Sequence, residues 1–149
     1  MKNTIILLTM LLFSGIGFAQ ESNNGKQLWA KSFLNEKAPE LTVETWISKK
    51  PDTEGKFVII DFWATWCGPC RKAIPELNEI AKEFSKDVVV IGISDEPVEK
   101  IKAMKEPVIE YYYGVDTKKT MDKILEIKGI PHVIIIDPKG IVHCFFSIY

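Results

Sequence analysis

Phe57-Val58-Ile59-Ile60-Asp61-Phe62-Trp63-Ala64-Thr65-Trp66-Cys67-Gly68-Pro69-Cys70 opens as a continuous apolar run and ends on two cysteines separated by two residues. The run is bounded by Gly55 and reads as a central strand buried on both faces. Beyond Cys67, Ile74, Leu77, Ala81 and Phe84 recur at three- and four-residue spacing, which predicts an amphipathic helix from about Gly68 to Phe84. Pro75 inside it removes one backbone donor, so a kink near Arg71 is expected rather than a break. The cysteines therefore sit where a strand hands over to a helix. Only a thiolate attacks a disulfide, and helix N-terminal N–H groups facing Cys67 would favour one at an accessible sulfur. Cys70, one turn on, is the resolving thiol, protected from solvent. So short a loop removes little unfolded-chain entropy, which argues against a purely structural disulfide.

On the N-terminal side, Leu41, Val43, Thr45 and Ile47 alternate as in a strand, ended by Lys49-Lys50-Pro51-Asp52 and Gly55. On the C-terminal side, Val88 to Ile93 is a second buried strand, and Pro97 suits the first turn of a short helix carrying Val98, Ile101 and Met104. Ile109 to Tyr113 reads as a short strand, and Thr120, Met121, Ile124 and Leu125 as a helix that Gly129 terminates. Val133 to Ile136 is a third buried run, and Asp137-Pro138-Lys139-Gly140 turns the chain into an antiparallel strand over Ile141 to Phe146. Alternating strands and helices followed by a hairpin give an α/β fold around a mixed sheet.

With 149 residues, 46% hydrophobic, the chain holds one domain with a core, and 19 basic against 20 acidic residues point to no nucleic-acid partner. Residues 1–19 read as a signal peptide: Lys2 is the positive start, Ile5 to Phe13 the apolar segment, and Gly17-Phe18-Ala19 the small-residue cut site. The competing reading, a membrane anchor, meets an apolar segment shorter than the roughly 20 residues a span needs. The cleaved protein is expected to be soluble, not transmembrane, and periplasmic or otherwise extracytoplasmic. Residues 20–37 are expected to be a flexible leader that can dock through Leu28, Trp29 and Phe33, and 38–149 to be the folded domain.

Asp61 to Cys70 resembles the active-site segment of thioredoxin-like proteins, in the strand-then-helix context that a C-x-x-C motif needs. Ala38-Pro39, Gly55-Lys56 and Gly129-Ile130-Pro131 resemble the exported TlpA/ResA-like branch of that superfamily, with coverage from about Pro39 to Val142. The resemblance implies a thioredoxin-like three-layer fold, a central mixed sheet with flanking helices. It implies that Pro131 is cis and that Ile130 offers its backbone to an extended substrate peptide, with Trp66, Gly68 and Pro69 completing the substrate-binding set. Asp61 corresponds to the family's buried acid, which moves protons to and from the resolving thiol; burial would raise its pKa. The branch's glutamate three residues after the second cysteine is Ala73 here, leaving Asp61 to act alone. The resemblance also implies a final helix over one sheet face. The sequence runs only nine residues past Gly140, so a C-terminally truncated fold is expected, its face covered by a partner or by the leader, or left with limited stability.

The implied function is thiol:disulfide exchange in the direction of reduction of exported client proteins, since Gly68-Pro69 is the pair found in reducing thioredoxins. Cysteine-containing exported proteins would be substrates and a membrane-embedded thiol donor the electron source; no cofactor beyond the Cys67-Cys70 disulfide is expected. A thiol peroxidase is the first alternative, although Ile60 and Ala64 stand where the Pro-x-x-x-Thr-x-x-Cys segment of such enzymes has proline and threonine. A non-catalytic binding module is the second. Trp63 either shields the site with Trp66 or packs in the core, and Arg71 and Lys72 read as solvated. His132 and His143 lack the partner set a metal needs, so no metal site is expected. Tyr111-Tyr112-Tyr113 reads as strand packing, and Cys144 as buried or accidental rather than catalytic.

Overall fold

The computed structural model describes residues 30–147, so the segment read as a signal peptide, and Leu28 and Trp29 with it, lies outside the described residues. Six strands, β1 (Thr45–Trp46), β2 (Phe57–Phe62), β3 (Val88–Ser94), β4 (Tyr112–Val115), β5 (His132–Ile136) and β6 (Val142–Ser147), form one sheet in the order β1-β4-β3-β2-β5-β6. The helices are α1 (Gly68–Glu83), α2 (Val98–Ala103) and α3 (Thr120–Leu125). β2 runs parallel to β3 and antiparallel to β5, which makes the sheet mixed. No helix among the described residues is long and apolar enough to cross a membrane.

The period of two along each strand sorts the core into two layers. Val58, Ile60 and Phe62 of β2 and Val89, Ile91 and Ile93 of β3 point to the side of Met121 and Leu125 of α3. Val90, Trp63 and the half-buried Ile59 point to the side of Ile74 and Leu77 of α1 and Ile101 of α2. This is the three-layer arrangement expected, with helices on both faces of the sheet. Within the segment read as a leader, residues 30–37 are tied to the body: Lys31 donates to the Leu125 carbonyl at 2.7 Å, Asn35 to Val142 at 2.8 Å, and Val142 back to Glu36 at 2.9 Å. Phe33 packs on the α3-side core.

Several boundaries differ from expectation. The strand read over residues 41–47 shrinks to Thr45–Trp46, the two residues in ladder register with β4; Glu44, Ile47 and Ser48 add single backbone bonds to Val115 and Tyr113, and Leu41 and Val43 pack on the core. The strand read from Ile109 begins at Tyr112 instead. Its lead-in is held by α1: Asn78 donates from Nδ2 to the Val108 carbonyl at 2.9 Å and accepts the Glu110 N–H at 2.8 Å, so residues 108–110 face a helix rather than a strand. Pro97 caps α2 from outside its first turn. α3 ends at Leu125 and is capped by Glu126, whose φ of 51° is left-handed, three residues before the glycine expected to stop it. α1 continues unbroken through Pro75. At the hairpin, Gly140 takes a φ of 77° that favours glycine and donates to the Asp137 carbonyl at 2.8 Å.

Candidate active site

Cys67 is the N-cap of α1, with extended backbone, and the first helical turn closes behind it as Arg71 donates to its carbonyl at 3.0 Å. Its Sγ accepts the Cys70 N–H at 3.2 Å, the place an N-cap oxygen usually fills. The sulfur therefore sits on the donor end of a 16-residue helix whose first turn has no acidic residue. The same electrostatics would favour a thiolate at this atom once the pair is reduced. Cys67 and Cys70 are joined in a disulfide with Cα atoms 5.3 Å apart. Cys70 is 0% exposed and Cys67 3%, so the accessible sulfur expected at Cys67 is only barely open in this oxidised form, while its neighbours Gly68 and Pro69 are exposed.

The two tryptophans separate cleanly. Trp63 is buried among Cys67, Cys70, Ile74 and Tyr111, whereas Trp66 is 69% exposed beside the disulfide. The apolar platform is thus Trp66 alone. The Ile130–Pro131 peptide is cis, as the resemblance implies, and a second cis peptide joins Glu106 and Pro107. Ile130 packs against the cluster that holds both cysteines, and Pro131 is fully buried. Trp63, Trp66, Gly129 and Ile130 line a cleft of about 230 Å³ together with Asp95 and Lys119, which are paired at 2.6 Å.

Asp61 lies on β2 between Gly92 of β3 and Val133 of β5, on the face covered by α1, and is 1% exposed. Burial pushes its carboxyl up to about 7, against a smaller opposing pull from Tyr111. The carboxyl can therefore hold or release a proton near neutrality beneath the helix that carries the cysteines.

Two residues not read from the sequence as part of the site belong to it. Glu96, just beyond the C-terminal end of β3, accepts both the Thr65 N–H and its hydroxyl, the latter at 2.9 Å, and pairs with Lys100 at 2.6 Å. Burial works against its ionisation, but the Lys100 ammonium and the Thr65 donors outweigh it and hold the carboxyl below its usual range. The loop leading into Cys67 is thereby fixed from a neighbouring strand. The legible signal was position, since sites in α/β sheets gather at the carboxyl ends of parallel strands. Tyr111, read only as strand packing, precedes β4 and is buried against Trp63 and the cysteine pair. Arg71, read as solvated, donates to the Glu106 carbonyl at 2.8 Å. Cys144 is half-buried on β6 opposite Ile135, and His143 pairs with Asp137 of the hairpin turn at 2.9 Å. Among the described residues no group of three or more potential ligands could hold a metal ion.

Residues 34–144 match the model of the AhpC/TSA family. The thioredoxin-like protein YneN of Bacillus subtilis is 27% identical over 114 residues, covering 72% of this chain and 67% of its own. The thiol-disulfide oxidoreductase ResA of the same organism is 26% identical over 109 residues, covering 69% of this chain and 61% of its own. The chain thus spans about two thirds or less of the length of these curated relatives. Among solved structures, a candidate protein disulfide isomerase from Bacteroides thetaiotaomicron is 30% identical, with a TM-score of 0.68 over 76% of this chain and 78% of that one.

Proposed function

The chain belongs to the AhpC/TSA family, and on that premise we propose that it is a thiol:disulfide oxidoreductase that reduces disulfides of exported client proteins through Cys67 and Cys70. The observation that carries this reading is the disulfide at the first turn of α1, with Cys67 on the donor end of the helix and Cys70 fully enclosed. In the reduced protein, the Cys67 thiolate attacks one sulfur of the client disulfide, forming a mixed disulfide and releasing the other client sulfur as a thiolate. Asp61 takes the proton of the Cys70 thiol, and the Cys70 thiolate attacks Cys67 Sγ. The Cys67–Cys70 bond forms, the bond from Cys67 to the client breaks, and the client leaves with two more electrons than it brought. A membrane-embedded dithiol donor would return those electrons.

Trp66 and Ile130, which share the cleft wall, would receive the client as an extended peptide, with the exposed Gly68 and Pro69 beside the disulfide and the buried cis-Pro131 fixing the backbone of Ile130. The signal-peptide pattern of residues 1–19 supports a periplasmic or other extracytoplasmic site of action. Peroxide reduction is the less favoured chemistry, because Ile60 and Ala64 are buried apolar residues where a peroxidase segment would present proline and threonine.

The roles divide under substitution. Cys67→Ser should abolish insulin-disulfide reduction, while Cys70→Ser should accumulate mixed disulfides with client proteins, visible as reductant-sensitive adducts on non-reducing gels. Equal trapping by both variants would contradict the assignment of attacking and resolving sulfurs.

A further inference from the structure

Asp61, Tyr111 and Trp63 meet in the layer between the sheet and α1. The Tyr111 phenol lies in the field of the Asp61 carboxyl, yet neither carboxyl oxygen, nor the phenol, nor the Trp63 Nε1 closes a well-formed hydrogen bond among the described residues. Buried polar groups are rarely left so, and a cluster of them beside a redox pair is an arrangement with a chemical use. Glycine at position 92 makes the arrangement possible. It faces Asp61 across the β2–β3 ladder, and a Cβ there would stand 3.0 Å from Tyr111 Cε2 and 3.1 Å from Trp63 Nε1. A side chain at 92 would require the Tyr111 and Trp63 rings to give by a few tenths of an ångström.

The phenol is also delivered by the helix that bears the cysteines. Arg71 of α1 holds the Glu106 carbonyl at 2.8 Å, and Asn78 of α1 holds Val108 and Glu110 at 2.9 and 2.8 Å. These contacts fix the segment that ends in Tyr111. We propose that Tyr111 is a positioning residue of the exchange reaction, its hydroxyl donating to the Asp61 carboxylate and so setting the pH at which Asp61 can accept the Cys70 proton. This rests on the reading of Asp61 as the proton acceptor of Cys70.

The chemistry of the pair fits that role. Burial, and after it the neighbouring carboxylate, push Tyr111 above the ordinary phenol value, so it stays a donor throughout the working range. In the oxidised protein, among the described residues, it is the titratable side chain that acts on Asp61, and it acts to lower the pKa that burial raises; in the mixed disulfide the Cys70 thiol of α1, the proton donor, joins it. A hydrogen bond to the charged form of a carboxyl favours that form.

The test is the pH dependence of the resolving step, followed as release of a thiol from a preformed mixed disulfide on Cys67. Tyr111→Phe keeps the ring and removes only the donor. Its inflection should move to higher pH by about one unit, with up to about a tenfold slower release at pH 7, and return toward wild type above it. Gly92→Ala, which crowds the ring, should shift the inflection the same way. Asp61→Asn separates the two claims: it should remove the inflection altogether. An inflection lost in Asp61→Asn but unmoved in Tyr111→Phe would overturn the role of Tyr111 and leave that of Asp61 standing. An inflection that survives Asp61→Asn would overturn both. Direct titration of the Asp61 carboxyl by carbon-detected NMR in the oxidised protein reads the same shift without turnover, and an unchanged midpoint in Tyr111→Phe would equally reject the proposal.

Discussion

Between pH 3.8 and about 7, Asp61 keeps its proton in the folded chain and loses it in the unfolded one. The folded state therefore binds the extra proton, and its stability falls as pH rises through that window. Below pH 3.8 both states are protonated and the group is neutral to stability; above about 7 the full penalty of a buried carboxylate applies. The difference corresponds to up to about 4 kcal/mol. Asp61→Asn should accordingly raise the thermal midpoint of the oxidised protein at pH 8 and leave it little changed near pH 3.5; an equal shift at both values would show that Asp61 is ionised at little cost. The position of Asp61, on a buried strand six residues before Cys67, was readable from the chain alone, as were the two cysteines. Tyr111 was not, because its partnership depends on Gly92 facing Asp61 and on α1 drawing residues 106–110 out of the sheet. Nothing in three consecutive tyrosines says which one leaves the strand.

At the scale of elements, strong periodicity translated directly into structure, and weak periodicity was overruled by long-range pairing. The helix bearing the cysteines and the strands on either side of it fall where apolar spacing put them. The segment around residues 41–47 has the alternation of a strand, but pairing needs a partner, and contact with β4 begins only at Glu44, with Thr45 and Trp46 in ladder register. What lets them approach is Gly114 of β4, where a Cβ would lie 2.6 Å from Val43 Cγ1 and 2.7 Å from the Thr45 carbonyl oxygen. Gly114→Ala should force β1 off the sheet and destabilise the fold by about 1 to 3 kcal/mol, measured by denaturant unfolding. A midpoint within error of wild type would mean that β1 contributes little to the folded state. Glu96 belongs to this scale as well. It ties the end of β3 to the loop before Cys67, a link between segments that no local pattern announces.

Taken whole, the molecule places one reactive pair at the junction of a buried central strand and an amphipathic helix, with an exposed tryptophan and a cis-proline segment that line one cleft. The succession of strands and helices along the chain and the mixed sheet followed from alternation and turn chemistry, and the helices on both faces from the resemblance; the order of strands across the sheet was not read from the chain, nor was how residues 30–38 lie along the hairpin, since those contacts are made by backbone groups to the distant residues 125 and 140–142. The central claim is that Cys67 and Cys70 form a reducing dithiol. Equilibration of the protein with glutathione buffers, with Cys144 replaced so that only the pair titrates, measures it directly. A single two-electron transition with a midpoint near about −270 mV would be the signature of a reductant, and that is the result expected here. A midpoint near about −120 mV would make the protein a disulfide donor instead, and the absence of any defined transition would contradict a working cysteine pair altogether.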